Sequence, residues 1–158
     1  MTFDMSAQEL GILKSRLESK AELVYKENKL IELALNNFNL SYDIIDLKTR
    51  FVTLTTSLES LFNYGKGEIT HIISRHLALV VSSNKDEFYF NCKAIKKLYG
   101  VRSAIVHGST QSADLMGLIL QLEDYVRRAI NYCSTLSDTL FPDTKALFEF
   151  LNSAGYSH

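Results

Sequence analysis

One proline, two cysteines and no tryptophan in 158 residues leave little to break the chain and nothing to staple it. With Pro142 alone, and no glycine between Gly11 and Gly65, nothing in the first third compels a helix to stop. Cys92 and Cys133 lack C-x-x-C spacing, which argues against a zinc site or a disulfide framework and fits a reducing, cytoplasmic setting. Neither sign of charge dominates. Seventeen basic and 18 acidic residues give a net charge of −1, so the surface is not basic throughout and any nucleic-acid contact must be a local patch. No apolar run reaches the length of a membrane span, and Met1-Thr2-Phe3-Asp4-Met5 lacks the layout of a signal peptide, so no membrane partner is expected. A Gly-rich phosphate loop, a Ser/His/Asp order, a metal-ligand cluster and a dinucleotide fingerprint are all missing, so neither cofactor nor metal is expected.

What remains is helical periodicity, and it predicts an all-α chain. From Ser6, the residues Leu10, Leu13, Leu17, Ala21, Val24, Ile31, Leu35 and Phe38 recur at helical spacing, with Asn28 the one polar residue in the seam. That stripe reads as one long helix or as two joined near Asn28. It packs on its own domain or, alternatively, serves as a dimerising or partner-binding arm. Asn36, Asn37 and Asn39 with Ser41-Tyr42-Asp43 mark a turn, after which Asp43 or Asp46 caps a helix to about Tyr64. Phe51, Leu54, Leu58, Leu61 and Phe62 form its buried stripe. Glu59 falls at the edge of that stripe, where an unpaired carboxylate is costly, so Arg102 or Arg75 is expected beside it.

Gly65-Lys66-Gly67 turns the chain into a third helix carrying Ile69, Ile72, Ile73, Leu77, Val80 and Val81 inward, ended by Ser82-Ser83-Asn84. His71 and His76 ride on it, without a carboxylate at ligand spacing, and read as solvent-facing or core histidines. The next helix stops at Gly108-Ser109-Thr110, and Ser109, Thr110 or Ser112 starts the following one. Leu115, Leu118, Ile119, Leu122, Tyr125, Val126, Ala129, Ile130 and Cys133 make that one strongly amphipathic. Phe141-Pro142-Asp143 breaks it, Asp143 or Thr144 caps a short last helix through Leu151, and the tail frays from Asn152. No repeat or linker divides the chain, so residues 1–158 are expected to form one domain.

One stretch carries a charge bias. From Phe88 to Ala113 there is no carboxylate, while Lys93, Lys96, Lys97 and Arg102 are all present, and Phe88, Tyr89, Phe90 and Tyr99 offer rings. A solvated helix face is the plain reading of such a run. Phosphate tracking with base stacking is the functional one, and RNA the corresponding partner. Within it, Arg102 brings a permanent cation with a planar fork of donors, and His107 a group that moves protons near neutral pH. Five helical positions place them about 140° apart, so a single helix does not aim both at one small target. A second copy related by a twofold axis could set each arginine near the other chain's histidine.

The Arg102 to His107 spacing matches the R-x4-H motif of HEPN domains (higher eukaryotes and prokaryotes nucleotide-binding). Leu98-Tyr99-Gly100-Val101-Arg102-Ser103 followed by Val106-His107-Gly108 most resembles the Apea-like branch. Arg50-Phe51-Val52 with Ser57-Leu58-Glu59-Ser60-Leu61-Phe62 is similar to that family's second core helix, Ile31 to Phe38 to its first, and Arg75 sits where related sequences often carry an arginine. The resemblance runs from about residue 27 to residue 140. It departs at Ser103, where active HEPN ribonucleases often carry Asn, Asp or His. It implies an antiparallel bundle of four core helices, here with an added N-terminal helical arm at about residues 6–26 and a short C-terminal helix. It also implies a metal-independent endoribonuclease in a toxin or phage-defence setting, acting as a homodimer with the site at the interface and answering to an antitoxin or regulatory protein. In that mechanism His107 is the general base on a ribose 2′-hydroxyl and Arg102 steadies the charge on the phosphoryl oxygens, leaving 2′,3′-cyclic phosphate ends. Ser103, Glu59 and Tyr99 are its expected supporters, and Lys93, Lys96 and Lys97 its RNA contacts. The alternative is a noncatalytic HEPN-like module for RNA or nucleotide binding or for assembly.

Overall fold

The computed structural model describes residues 28–63, 68–109, 114–136 and 143–154, and among them the chain forms six helices and no strand. They are α1 (Lys29–Asp43), α2 (Leu47–Phe62), α3 (Ile69–Val81), α4 (Lys85–Val106), α5 (Leu115–Thr135) and α6 (Thr144–Ser153). The arm expected at residues 6–26, the Gly65-Lys66-Gly67 turn and the Phe141-Pro142 break lie outside the described residues.

Short polar side chains set most of the boundaries by satisfying amides that a helix start leaves without partners. Asn28 sits in extended backbone and its Oδ1 accepts from the Leu30 amide at 2.9 Å, so the polar residue in the seam begins a helix. Asp46, Asn84 and Asp143 do the same for α2, α4 and α6. Two expectations fail here. The turn expected at Asn36 to Asp43 is helix, because Asn37 Nδ2 donates back to the Leu33 carbonyl (2.9 Å) and the Ser41 hydroxyl to Phe38 (2.6 Å). Their polar groups are spent inside the helix instead of competing with it. The cap of α5 is Asp114, not Ser109, Thr110 or Ser112, and Ser109 is occupied in closing α4.

Helix α2 is the centre of the bundle, touching α1, α3, α4, α5 and α6. Phe51, Leu54, Leu58 and Leu61 are fully buried along it, facing Ile73 and Leu77 of α3, Phe88, Ile95 and Leu98 of α4, and Ile119, Leu122 and Val126 of α5 within one core. Each such side chain contributes about 1.5–3 kcal/mol by leaving water. Buried Ser57 donates to the carbonyl of Ala34 at 2.7 Å, and these two small residues bring α1 close to α2. Arg50 of α2 pairs with Glu123 of α5, both largely buried. Arg128 of α5 donates to the last carbonyl of α3, at Val81, and the Tyr125 hydroxyl donates to Asn91 of α4 (2.8 Å). The last helix is tied down through its end: His76 Nε2, in a residue 1% exposed, lies 3.1 Å from Asn152 Oδ1. Asn152, although exposed, is therefore still helical and hydrogen-bonded, where fraying was expected. No helix among the described residues is long and apolar enough to cross a membrane.

Candidate functional site

Helix α4 carries every residue singled out for chemistry except Glu59. Its apolar positions Phe88, Ile95, Leu98 and Tyr99 face the core, and polar side chains share the rest of its circumference with half-buried Tyr89, Val101 and Ile105 and exposed Phe90 and Val106. Lys93, Lys96, Gly100, Ser103 and His107 are exposed and recur at intervals of three and four, so they form one stripe along α4. Lys97 is exposed at the flank of that stripe. None of the three lysines makes an ion pair among the described residues, leaving their charges on a face whose own helix supplies no acid beyond Glu87. Of the four rings, Phe88 and Tyr99 are core, Tyr89 is half-buried and Phe90 is 70% exposed.

His107 ends the stripe. It is the C-terminal cap of α4, its amide donating to the Ser103 carbonyl at 3.0 Å. The chain then turns through Gly108, whose φ of 71° is the left-handed conformation that glycine adopts freely. The Gly108 amide donates to Ile105 (3.1 Å) and the Ser109 amide to Ala104 (2.8 Å), the double closure of a Schellman end. That closure holds the His107 backbone while its ring stands in solvent.

Arg102 looks elsewhere. It lies about 140° around α4 from His107, toward α2, where its Nη2 is 3.3 Å from Glu59 Oε1 and 3.5 Å from Oε2. The expected partner of Glu59 is thus Arg102; Arg75 instead donates to the Ala154 carbonyl at 3.5 Å. One nitrogen shared between two oxygens at these lengths is a loose pair, since charge-assisted bonds run shorter. Burial pushes the Glu59 carboxyl above its usual value, with Arg102 pulling it back only in part. Tyr99 completes the cluster. Among the described residues its hydroxyl is buried without a partner, as is Arg102 Nε. Burial raises it well above its ordinary value, the Glu59 charge adding to the effect and Arg102 opposing it. Glu59, Tyr99 and Arg102 are therefore brought together, whereas Ser103, His107 and the lysines sit on a different face.

Two features were not anticipated from the sequence. The Arg50–Glu123 pair is one, although a glutamate next to Leu122 on an amphipathic stripe is the kind of position that signals a buried partner. The other is a cavity of about 170 Å3 between α3 and α4, bordered by Arg75, Lys93 and Lys96. Cys92 also borders it, its thiol raised by burial while Lys96 and Arg75 pull the other way. Cys133, by contrast, is sealed in the core and pushed up to about 12. Of the two histidines of α3, His71 is exposed and His76 is in the core. Among the described residues no group of three or more His, Cys, Asp or Glu is placed to hold a metal ion.

Comparison with protein-family models, curated proteins and solved structures gives no match to this chain.

Proposed function

We propose that this all-helical protein binds single-stranded RNA along α4, and that it is an endoribonuclease of HEPN type which cuts without a metal. The observation that carries this reading is the exposed, acid-poor stripe of Lys93, Lys96 and Ser103 ending in His107. A polyanion tracking the lysines would arrive at a side chain able to take a proton near neutral pH. His107 removes the proton from a ribose 2′-hydroxyl, the oxygen attacks the adjacent phosphorus, the P–O5′ bond breaks, and the 5′-oxygen takes a proton from water, giving a 2′,3′-cyclic phosphate and a 5′-hydroxyl. Arg102 stabilises the charge gathering on the phosphoryl oxygens, and Ser103 offers a hydroxyl to the phosphate.

The 140° between Arg102 and His107 argues for a site shared by two copies, each supplying one of the groups. A second reading has its own support. Arg102 is engaged by Glu59, as a purely structural cation would be, and this favours a noncatalytic RNA-binding or assembly module in which the motif arginine fastens α4 to α2.

The test is cleavage of an end-labelled single-stranded RNA in EDTA by the wild type, by His107→Ala and by Arg102→Ala, each checked for folding. The ribonuclease reading expects cleavage by the wild type and a loss of about 100-fold or more in either variant. A 1:1 mixture of the two variants should regain part of the activity if the site is shared. Equal cutting by all three, or none by the wild type over a range of RNAs, gives the field to the noncatalytic reading.

A further inference from the structure

The cavity between α3 and α4 has the composition of a nucleotide subsite. Phe88 and Tyr89 supply an apolar wall, their rings edge to face at 5.4 Å. Its border carries cations from both helices, Arg75 from α3 and Lys93 and Lys96 from α4, with the His71 ring beside them. Among the described residues no carboxylate lines it. Glu68 borders a shallower groove that adjoins it at His71 and Lys96. A cavity near 150 Å3 in an apolar setting takes one flat ring of benzene size, so about 170 Å3 suits a single base and not a folded ligand.

Arg75 is the unusual member. Among the described residues its Nη1 is buried without a hydrogen-bond partner, and its Nη2 reaches only the Ala154 carbonyl at 3.5 Å. A buried donor without an acceptor is costly, and so weak a tether lets the guanidinium turn. An anion entering between Arg75 and the two lysines would meet a fork suited to phosphate oxygens. Lys93 and Lys96 belong at once to this border and to the stripe that ends at His107. From Lys96 to His107 the helix rises about 16 Å, room for about five stacked nucleotides and fewer if the strand is extended.

We propose that the α3–α4 cavity is a nucleotide subsite for the RNA strand, with Arg75 holding a phosphate between Lys93 and Lys96 and the attached base lying against Phe88 and Tyr89. It rests on the reading of α4 as an RNA track and adds α3 to it, but it does not need the strand to be cut.

The test is fluorescence anisotropy with a labelled 12-nucleotide 2′-O-methyl RNA, which has no free 2′-hydroxyl to attack, and with AMP as competitor. Wild type, Arg75→Gln and Arg75→Lys are compared after thermal melts establish that each is folded. Arg75→Gln should weaken oligonucleotide binding at least 10-fold and flatten its salt dependence by about one ion, with Arg75→Lys between, since it keeps the charge and loses the fork. AMP should compete far more weakly than unlabelled oligonucleotide. Undiminished binding by Arg75→Gln overturns the subsite. AMP binding as tightly as the strand, through Arg75, overturns its assignment to a strand in favour of a free nucleotide. Arg75-dependent binding by a protein that cuts no RNA leaves the subsite standing and removes the ribonuclease reading; cutting with Arg75-independent binding does the reverse.

Discussion

Removing Arg102 should expose how Glu59 is held, and the effect should depend on pH in a specified direction. The side chain of Glu59 is 18% exposed and that of Arg102 34%, so the carboxylate is the more deeply placed partner. At an effective dielectric constant near 20, charges 3.3 Å apart attract by about 5 kcal/mol, yet the Glu59 carboxyl still sits above its usual value because burial outweighs that attraction. Arg102→Met leaves the carboxylate desolvated and alone, at a cost of about 2–3 kcal/mol near pH 7. In a chain of this length that lowers Tm by about 4–12 °C. Glu59→Gln leaves a cation already one-third exposed, which can turn to water, so its cost should stay within about 1 kcal/mol. A folded-state value raised above the unfolded one means that the folded protein takes up the proton first. The penalty is complete above the raised value and disappears as pH falls through it toward the ordinary glutamate range. The gap between wild type and Arg102→Met should therefore narrow from pH 7 to pH 4.5, and the double variant Arg102→Met/Glu59→Gln should recover most of the loss. Urea denaturation of the four proteins at the two pH values measures this. A gap under about 0.5 kcal/mol at pH 7, or one that does not narrow on acidification, refutes the reasoning.

Other consequences can be checked in the same way. Arg50→Met strands buried Glu123 and should cost about 3–5 kcal/mol in urea denaturation, more than the Arg102 variant, because this pair lies deeper. His76 is held below its ordinary value first by burial, with Arg75 and His71 adding to it and the Asn152 bond opposing. Its contribution is whole above the unfolded value near 6.5 and is lost as pH falls through the lower folded one. Stability should drop between pH 7 and pH 5 more steeply in the wild type than in His76→Gln, and parallel slopes would count against it. Gly100 is exposed within α4 with nothing within 4 Å of an added Cβ. Gly100→Ala should therefore raise stability by about 0.5–1 kcal/mol, and a lower urea midpoint would show that the stripe is packed against something.

Much of the fold was legible because its signals are local. The apolar stripes of α2 and α5 depend on residues within a turn or two of one another and appear where the spacing puts them, and the caps at Asp46 and Asp143 are each one of the two residues the sequence offered. The failures have local causes too. Asn37 and Ser41 carry side chains typical of turns, but in α1 they bond backward to Leu33 and Phe38, and only the three-dimensional helix shows which way a short polar side chain has turned. That Glu59 needs a cation was legible from charge alone, since a carboxylate beside Leu58 and Leu61 has to find one, but only the packing of α4 on α2 selects Arg102 over Arg75. Arg102 and His107 fall on different faces, as five helical steps require. What no single segment could disclose was the cavity, because its border alternates between α3 and α4 and exists only once those helices pack.

The central claim is that His107 drives attack by a ribose hydroxyl on the neighbouring phosphate, and the chemistry of the cut end tests it most directly. The wild type would be given a single-stranded RNA in EDTA, beside the same strand with one 2′-deoxy nucleotide at the preferred position, and the products read by mass spectrometry. The account predicts a 2′,3′-cyclic phosphate on the cut RNA, no cut at the deoxy position, and neither product with folded His107→Ala. Cleavage at the deoxy position, or a 3′-hydroxyl with a 5′-phosphate, would contradict it.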